Sequence, residues 1–370
     1  MINEMPDKWM NLALDLASRG RGFVEPNPMV GAVIVKDNQV IGVGWHQKFG
    51  EQHAEVEALH QAGNEARGAM LFVSLEPCSH HGKTPPCADA VVKAGISKVF
   101  IAMRDPNPLV SGKGIEFLKR NGIVVQVGVE KDKAEILNGP FIKYFLHSKP
   151  YVIAKWAMSL DGKIATKSGE SKWISNEKCR DKVHQLRGLM DAVLVGIGTV
   201  LQDDPMLNAR PEGPRKQTRI VIDPSGRIAT SSKILKTACD FKTMIALHES
   251  VSDKTKKTLE SMGCELLELS SIQPSFVINE ILLALGKKGI QNLLVEGGGK
   301  TLGAFFDSDQ VDEIQAFIAP FVIGGESAPA PVGGAGINLM HQRRNLLCVS
   351  YENVDDNLHF SGRLKHYSSD

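Results

Sequence analysis

The sequence predicts an α/β protein built from two domains. Short runs of β-branched and apolar residues alternate along the chain with segments whose apolar residues recur at helical spacing. A chain of 370 residues is longer than one ordinary hydrophobic core accommodates. One short segment, residues 147–150, interrupts a helical pattern immediately before a new strand pattern begins. These observations favour two successive domains in which helices cover a sheet.

The first half is predicted to open with a helix and a hairpin. Apolar residues recur at helical spacing over residues 10–17. Two apolar runs, 30–35 and 40–45, flank the polar residues 36–39, an arrangement typical of a β-hairpin. A hairpin followed by strands that alternate with helices indicates a mixed sheet between helical layers. The later strands are predicted at 71–75, 98–102 and 123–127, and the later helices at 53–63, 87–95, 114–120 and 132–146.

The segment His147-Ser148-Lys149-Pro150 is the predicted domain boundary. Proline disfavours helical backbone at the residue before it, so the helix that precedes this segment should end here. A strand pattern starts at once at Tyr151. We therefore predict one domain over residues 1–148 and a second over residues 149–370.

The second half again alternates strands with helices, without an internal repeat. A proline- and glycine-rich segment, residues 324–336, is predicted to be a long loop, and such loops are usually functional or mobile. Strands are predicted at 151–157, 192–195, 219–223, 243–247, 265–269, 292–295, 313–318, 346–351 and 358–364, and helices at 252–262, 275–285 and after the glycine-rich turn at 297–299.

Composition and charge narrow the class of protein. Apolar residues make up 42% of the chain and charged residues 23%, as in globular proteins. The formal net charge is +1, so we expect neither a nucleic-acid partner nor an anionic membrane surface. No apolar run of about 18 residues and no secretory signal is visible. The same near-zero charge argues against a polynucleotide substrate and favours a small-molecule one. Because the six cysteines lack a disulfide-framework spacing, we expect a cytoplasmic protein.

The first half carries a candidate metal site. Cys78 and Cys87 bracket eight residues, and His53 lies upstream of both. One imidazole and two thiolates suffice to hold a catalytic zinc ion whose fourth position is left for water. A predicted strand delivers Cys78, while His53 and Cys87 each begin a predicted helix. The free N–H groups and dipoles of helix N-termini favour thiolates.

Glu55 indicates what such a zinc ion would do. It lies too close to His53 to be a further ligand and is placed to move protons. This is the arrangement of zinc deaminases that act on nucleobases, in which activated water attacks an amidine carbon and ammonia leaves. Two alternatives stay open. The cysteines could be buried apolar residues, or His80 or His81 could complete a structural zinc site.

Two glycine-rich turns are the candidate ligand-binding features of the second half. Residues 296–304 and 196–199 each follow a predicted strand. Turns of this kind let backbone N–H groups approach a phosphate, although a tight turn without a ligand is the alternative. Arginines suited to bidentate phosphate contacts are also present, namely Arg187, Arg210 and Arg215.

Together these motifs resemble the bifunctional deaminase/reductases of riboflavin biosynthesis. In the first half the resemblance is carried by Asn27-Pro28-x-Val30-Gly31, Gly44-x-His46, His53-Ala54-Glu55 and Pro77-Cys78 with Cys87. In the second half it is carried by residues 158–165, by Gly169-Glu170-Ser171-x-Trp173-Ile174-Ser175, by Asp203-Asp204-Pro205-x-Leu207 and by Glu296-Gly297-Gly298. The motifs cover essentially the whole chain in the family's order. The resemblance implies a cytidine-deaminase-like α/β/α sandwich followed by a dihydrofolate-reductase-like α/β domain.

For the first domain the resemblance implies Zn²⁺ held by His53, Cys78 and Cys87, with Glu55 as the catalytic proton carrier. It also places a group of residues against the pyrimidine or the ribose phosphate of the substrate. These substrate-binding residues are Asn27, His46, Lys83, Asp105 and Asn107.

For the second domain the resemblance implies NADPH and hydride transfer to the ribose C1′. The implied NADPH contacts are Ala157, Trp173, Thr199, Asp203, Ser225, Gly298, Gly299, Lys300, Thr301, Leu302, Gly303 and Ala304. The implied substrate contacts are Ser171, Arg187, Leu207, Arg210 and Glu296, with the arginines on the 5′-phosphate. Asp161 and Glu296 are the candidate proton carriers. We also expect a homo-oligomer formed through the reductase domain.

The expected function is therefore deamination of 2,5-diamino-6-(ribosylamino)pyrimidinone 5′-phosphate followed by reduction of the resulting uracil derivative. One alternative is a nucleobase or tRNA deaminase with an unrelated appendage, which the net charge, the long cysteine spacing and the motifs of the second half disfavour. Another is a zinc-stabilised protein that senses a nucleotide without converting it. Glu55 discriminates here, because a structural zinc site has no use for it.

Overall fold

The computed structural model describes residues 4–79, 86–108 and 110–369. Its contacts divide the chain into two compact units. The first comprises Met1–His147 together with the tail His366–Asp370, and the second comprises Ser148–Lys365. The tail counts with the first unit because the buried carboxylate of Glu135 accepts hydrogen bonds from the Ser369 N–H, at 2.8 Å, and from the Ser368 hydroxyl, at 3.0 Å.

The first unit is a three-layer α/β/α sandwich around a five-stranded sheet of order β2-β1-β3-β4-β5. Strands β3, β4 and β5 are parallel, whereas β1 is antiparallel to both of its neighbours. Helices α2, α3 and α4 pack on one face, and α1, α5 and α6 pack on the other. The elements are α1 (Glu4–Ser18), β1 (Gly31–Lys36), β2 (Gln39–Trp45), α2 (Ala54–Ala62), β3 (Met70–Leu75), α3 (Cys87–Lys93), β4 (Lys98–Met103), α4 (Lys113–Arg120), β5 (Val124–Val127), α5 (Lys131–Leu137) and α6 (Gly139–His147).

The predicted hairpin is confirmed, but the predicted helix over 132–146 is wrong in one respect. Lys36 pairs with Gln39, and the turn residues Asp37 and Asn38 adopt left-handed backbone with φ of 50° and 61°. The single helix is instead two helices, α5 and α6, which meet at Asn138. The buried Asn138 side chain accepts from the Met29 N–H at 2.9 Å and donates to the Met29 carbonyl at 3.0 Å. This pair of hydrogen bonds lies at the break between the two helices.

The second unit is built on a nine-stranded sheet of order β10-β9-β8-β7-β11-β6-β12-β14-β13. The first seven strands in this order are parallel, and β14 and β13 complete the sheet as antiparallel strands. The elements are β6 (Tyr151–Ser159), α7 (Glu177–Gly188), β7 (Ala192–Gly196), α8 (Ile197–Asp203), β8 (Thr218–Ile222), α9 (Lys233–Lys236), β9 (Thr243–His248), α10 (Asp253–Ser261), β10 (Cys264–Leu269), α11 (Pro274–Lys287), β11 (Asn292–Val295), α12 (Gly299–Asp307), β12 (Glu313–Ala319), β13 (Leu347–Val354) and β14 (Asn357–Arg363).

This topology brings the predicted ligand-binding segments to one edge of the sheet. Helices α11 and α12 bury their apolar residues on one face, while α7 packs Cys179 and Val183 near Phe317 of β12. Strands β6, β7, β8 and β11 are parallel neighbours, so the segments after their carboxyl ends converge, as at ligand-binding crevices of other α/β sheets. Among the described residues, no helix is both long and apolar enough to cross a membrane.

Candidate functional site

The first unit brings the three predicted metal ligands together. His53 is the residue immediately before α2, Cys78 follows β3, and Cys87 is the first residue of α3. His53 Nδ1 lies 3.1 Å from Cys87 Sγ and 3.6 Å from Cys78 Sγ. The ligand atoms of all three residues lie within 4.8 Å of one another. Tetrahedral Zn²⁺ with ligands at about 2.0–2.3 Å needs such spacings, so this donor set fits zinc.

The local electrostatics supply the thiolate that a metal requires. The Cys87 thiol is hydrogen-bonded to Cys78, and this contact, with the neighbouring His53, lowers the pKa of the Cys78 thiol. The backbone N–H of Cys87 also donates to Cys78 Sγ at 3.3 Å. A free N–H group at the start of a helix therefore points at the sulfur, as the sequence predicted. His80 and His81, the alternative fourth ligands, lie outside the described residues.

Glu55 lies beside this cluster, within reach of the charges of His53 and Cys78. Its side chain is buried, and Oε2 has no hydrogen-bond partner among the residues that the structure describes. Burial, reinforced by the charge of Cys78, raises the pKa of Glu55 to about 7. A buried carboxyl oxygen without a partner requires an explanation, and a proton carrier facing a reaction centre provides one.

Two of the predicted substrate residues adjoin the metal cluster. The His46 ring packs edge-on against the His53 ring with centroids 5.3 Å apart. His46 Nε2 lies 3.2 Å from the side-chain nitrogen of Asn27. A continuous polar row therefore runs from Asn27 through His46 to His53.

Asp105 and Asn107 lie in the segment after β4. The Asn107 N–H donates to the Asp105 carboxylate at 2.8 Å, which fixes the two residues relative to each other. Lys83 falls outside the described residues, so the structure does not place it.

The second unit contains a cavity of about 860 Å³ at the predicted crevice. Ala157, on β6, and Thr199, on α8, are two of the predicted residues that line it. The predicted NADPH and substrate residues in its wall are Ala157, Ser171, Trp173, Arg187, Thr199, Asp203, Leu207, Arg210 and Glu296. This volume is in the range of small-molecule and cofactor sites.

A buried ion-pair cluster lines the cavity. The Arg187 guanidinium makes a bidentate contact with Glu296, through Nε at 2.6 Å and Nη2 at 2.9 Å. Lys155 Nζ donates to the same carboxylate at 3.4 Å. Burial opposes ionisation of Glu296, but the charges of Arg187 and Lys155 outweigh it and lower its pKa to about 2. Glu296 is therefore ionised, and it orients two cations.

Lys155 and His184 are cavity residues that the sequence analysis missed. Burial lowers the pKa of Lys155, although Glu296 opposes this effect. A signal for Lys155 was present, because residues two apart on a strand share a face and Ala157 was already assigned to the site. His184 lies 3.1 Å from an Arg210 nitrogen, on a helix that was not predicted.

Beyond Glu296, the glycine-rich turn after β11 lies outside the cavity wall. Gly298, Gly299, Lys300, Thr301, Leu302, Gly303 and Ala304 do not line the cavity, and neither does Ser225, which follows β8 at the same edge of the sheet. One hydrogen bond links the turn to the wall, from the Gly298 N–H to Thr199 Oγ1 at 3.0 Å. A Cβ atom on Gly299 or Gly303 would approach the backbone of Ala330 or Gly333 to 2.5 or 2.4 Å, so these two glycines admit the loop 324–336.

Asp161, the other candidate proton carrier, is not among the residues that line this cavity. Its carboxylate accepts hydrogen bonds from the Ser159 hydroxyl at 2.6 Å and from the N–H groups of Ile323 and Gly324. The Ser159 contact, followed by the one from Ile323, lowers the pKa of Asp161 to about 2. Asp161 is thus an ionised anchor for the start of the loop.

Comparisons with known proteins agree with both halves of the chain. Residues 3–103 match the cytidine and deoxycytidylate deaminase zinc-binding region, and residues 150–360 match the RibD C-terminal domain. The riboflavin biosynthesis protein RibD of Aquifex aeolicus is 42% identical over 359 residues, which cover 97% of this chain and 98% of that protein. RibD of Escherichia coli is 39% identical over 332 residues, covering 86% and 89%.

Solved structures of relatives show the same fold over nearly the whole length. RibD of Acinetobacter baumannii gives a TM-score of 0.83 at 38% identity and covers 97% of this chain and 99% of that one. The diaminohydroxyphosphoribosylaminopyrimidine deaminase/5-amino-6-(5-phosphoribosylamino)uracil reductase of Thermotoga maritima gives 0.82 at 35% identity, covering 98% and 99%. The cytidine-deaminase-like and dihydrofolate-reductase-like fold prediction is confirmed. This chain belongs to the RibD family of bifunctional zinc-dependent deaminases and NADPH-dependent reductases of riboflavin biosynthesis.

Proposed function

We propose that the first unit removes ammonia from 2,5-diamino-6-(5-phosphoribosylamino)pyrimidin-4(3H)-one, and that the second unit then reduces 5-amino-6-(5-phosphoribosylamino)uracil to its ribitylamino product. The relative from Thermotoga maritima is named for activities on these two compounds. The observation that carries the proposal is the presence in one chain of a His-Cys-Cys cluster beside a buried glutamate and of a cavity lined by Arg187, Lys155 and Glu296.

In the deaminase unit, His53, Cys78 and Cys87 would hold zinc, which supplies the Lewis acidity that makes water nucleophilic near neutral pH. Glu55 would take a proton from that water at its partnerless Oε2 and deliver it to the departing amino group. Asn27 and His46 would bind the pyrimidine next to the metal, because both lie in the polar row that ends at His53. Asp105 and Asn107 would hold the remainder of the nucleotide.

In the reductase unit, Arg187 and Arg210 would bind the 5′-phosphate, and NADPH, when bound, would supply the hydride for the ribose C1′. As the bond from C1′ to the ring oxygen breaks, that oxygen would need a proton from the protein. Lys155 Nζ is our candidate for its donor, since the pKa of this buried ammonium is lowered, whereas Glu296 and Asp161 are ionised. Trp173, Thr199 and Asp203 would line the cofactor side of the cavity.

Zinc removal tests the division of labour between the units. Protein stripped of zinc by a chelator should release no ammonia from the diaminopyrimidine, because the ligand cluster lies wholly in the first unit. The same protein should still oxidise NADPH when supplied with the deaminated uracil compound. Ammonia release and NADPH absorbance measure the two steps. Oxidation of NADPH by the diaminopyrimidine without prior ammonia release would contradict the proposed order.

We further propose that the chain self-associates through its reductase unit. Strand β13 is an edge strand, which leaves backbone hydrogen-bonding groups available along one side. Val349 and Tyr351, alternate residues on this strand, are 49% and 72% exposed, and the nearby segment exposes Leu339 and Met340 at 55% and 76%. Exposed apolar surface of this kind marks protein contacts.

Tyr351→Asp should therefore convert the protein to a smaller species in sedimentation velocity, because a charge would be buried in the contact. Phe276→Asp is the matched control. Phe276 is 60% exposed on helix α11 and is not part of strand β13, so its replacement should leave the sedimentation coefficient unchanged. A wild-type protein that sediments as a monomer would refute the proposal. We also place the enzyme in the cytoplasm, where the reducing environment keeps cysteines such as Cys78 and Cys87 as free thiols.

A further inference from the structure

Glu76 is a buried carboxylate that connects two parts of the deaminase unit. It follows β3 and stands two residues before the metal ligand Cys78. Oε1 accepts from the N–H groups of Gly114 and Ile115, at 2.9 and 3.2 Å, and Oε2 accepts from those of Gly112 and Asp105, at 2.9 and 3.4 Å. All four donors are backbone amides of residues 105–115, the segment that follows β4.

Helix capping explains only half of this arrangement. Gly114 and Ile115 lie in the first turn of α4, where free N–H groups need an acceptor. Gly112 is the residue before that helix, and Asp105 lies seven positions further upstream. A side chain whose role was to cap α4 would have no reason to reach Asp105. Glu76 therefore holds both ends of the loop that carries Asp105 and Asn107.

The same residue is fixed to the metal side of the site. Its backbone N–H donates to the Met103 carbonyl at 3.1 Å, which joins the ends of β3 and β4. A Cβ atom on Gly114 would lie 2.0 Å from the Pro77 carbonyl oxygen, so glycine lets α4 start directly against the Glu76-Pro77-Cys78 segment. The segment that carries Cys78 and the loop that carries Asp105 and Asn107 are thus both attached to Glu76.

We propose that Glu76 is a positioning residue of the deamination reaction, which sets the loop carrying Asp105 and Asn107 at a fixed distance from the Cys78 metal ligand. The proposal rests on the function proposed above, in which these two residues hold the nucleotide. Glu76 contacts neither water nor substrate in this scheme. It acts through the loop, and its loss should therefore weaken substrate binding more than the chemical step.

Glu76→Gln tests this directly. Whichever way the amide is turned, its NH₂ group faces two N–H donors that the carboxylate satisfied. We expect the KM for the diaminopyrimidine to rise about tenfold or more, as for loss of a charge-assisted hydrogen bond, with kcat within about threefold of wild type. Zinc content and NADPH oxidation with the deaminated compound should not change. Glu76→Asp keeps the charge and should recover part of the loss.

The matched control is Glu116→Gln. Glu116 lies on the same helix, α4, but its side chain is 64% exposed and pairs with Arg120 on the surface. Its replacement should leave KM, kcat and zinc content unchanged. A double-mutant cycle adds a second criterion: in an Asn107→Ala background, Glu76→Gln should have much less effect on KM, because the loop contact it positions is already lost.

Hydrogen exchange provides a readout that needs no turnover. In Glu76→Gln the Gly112 and Gly114 amides should exchange faster than in wild type or in Glu116→Gln. Unchanged protection of these amides, or equal falls in zinc content and kcat at constant KM, would overturn the proposal. If the wild-type protein released no ammonia from the diaminopyrimidine, the proposed function would fail, and the exchange data would still decide whether Glu76 holds the loop.

Discussion

Glu55→Gln should lower the rate of ammonia release by ~10²–10⁴-fold, the usual contribution of proton transfer by a positioned side chain. The glutamine fits the same space but cannot carry a proton between water and the amino group. His53, Cys78 and Cys87 are untouched, so one zinc ion per chain should remain. NADPH oxidation with the deaminated compound should also be retained, because its cavity lies in the other unit.

Two further variants serve as controls for Glu55→Gln. Glu57 lies on the same helix, outside the metal cluster, and Glu57→Gln should therefore keep nearly the full rate of ammonia release. Cys78→Ser should lose the metal itself, since a hydroxyl is a poor substitute for a thiolate at zinc. If Glu55→Gln instead loses zinc in the way that Cys78→Ser does, then Glu55 is a ligand and its assignment as proton carrier is wrong.

Glu296→Gln should lower kcat/KM for the reduction by about 10- to 100-fold, because charge-assisted hydrogen bonds contribute ~1.5–3 kcal/mol each. The carboxylate orients Arg187 through two contacts and Lys155 through one. Without it, Arg187 loses the orientation that we assign to phosphate binding. Deamination in the same chain should continue, because its residues lie in the other unit.

The pH profile distinguishes orientation from proton donation. Glu296 raises the pKa of Lys155 while burial and Arg187 lower it, so loss of the carboxylate should lower this pKa further. A lysine that donates a proton stops working as the pH rises through its pKa. The alkaline limb of the reductase profile should therefore move to lower pH in Glu296→Gln. Asp181→Asn, an exposed change on the helix that carries Arg187, should leave the profile in place. If the alkaline limb of the reductase profile did not move in Glu296→Gln, Lys155 would not be the proton donor.

The sequence located the metal cluster because its information is local. His53, Cys78 and Cys87 each stand where a strand ends or a helix begins, and such places are readable from apolar spacing and from the residue types that ligate zinc. The hairpin at residues 36–39 was likewise readable, because adjacent residues set a turn. Helix α7 was not, because it is largely polar and its buried residues, Cys179 and Val183, meet a strand that lies far along the chain.

From the sequence alone we predicted the fold class, the family motifs and the three residues that the structure brings together as a possible metal site. Only the tertiary structure showed that Arg187, Glu296 and Lys155 form one buried cluster, because three segments separated by up to 141 positions meet there. It also decided that Asp161 anchors a loop, and that Gly299 and Gly303 admit that loop's backbone. The physical reason is that a motif specifies which groups are available, whereas burial, charge and hydrogen-bond partners come from residues distant in the chain. Those partners decide what each group does.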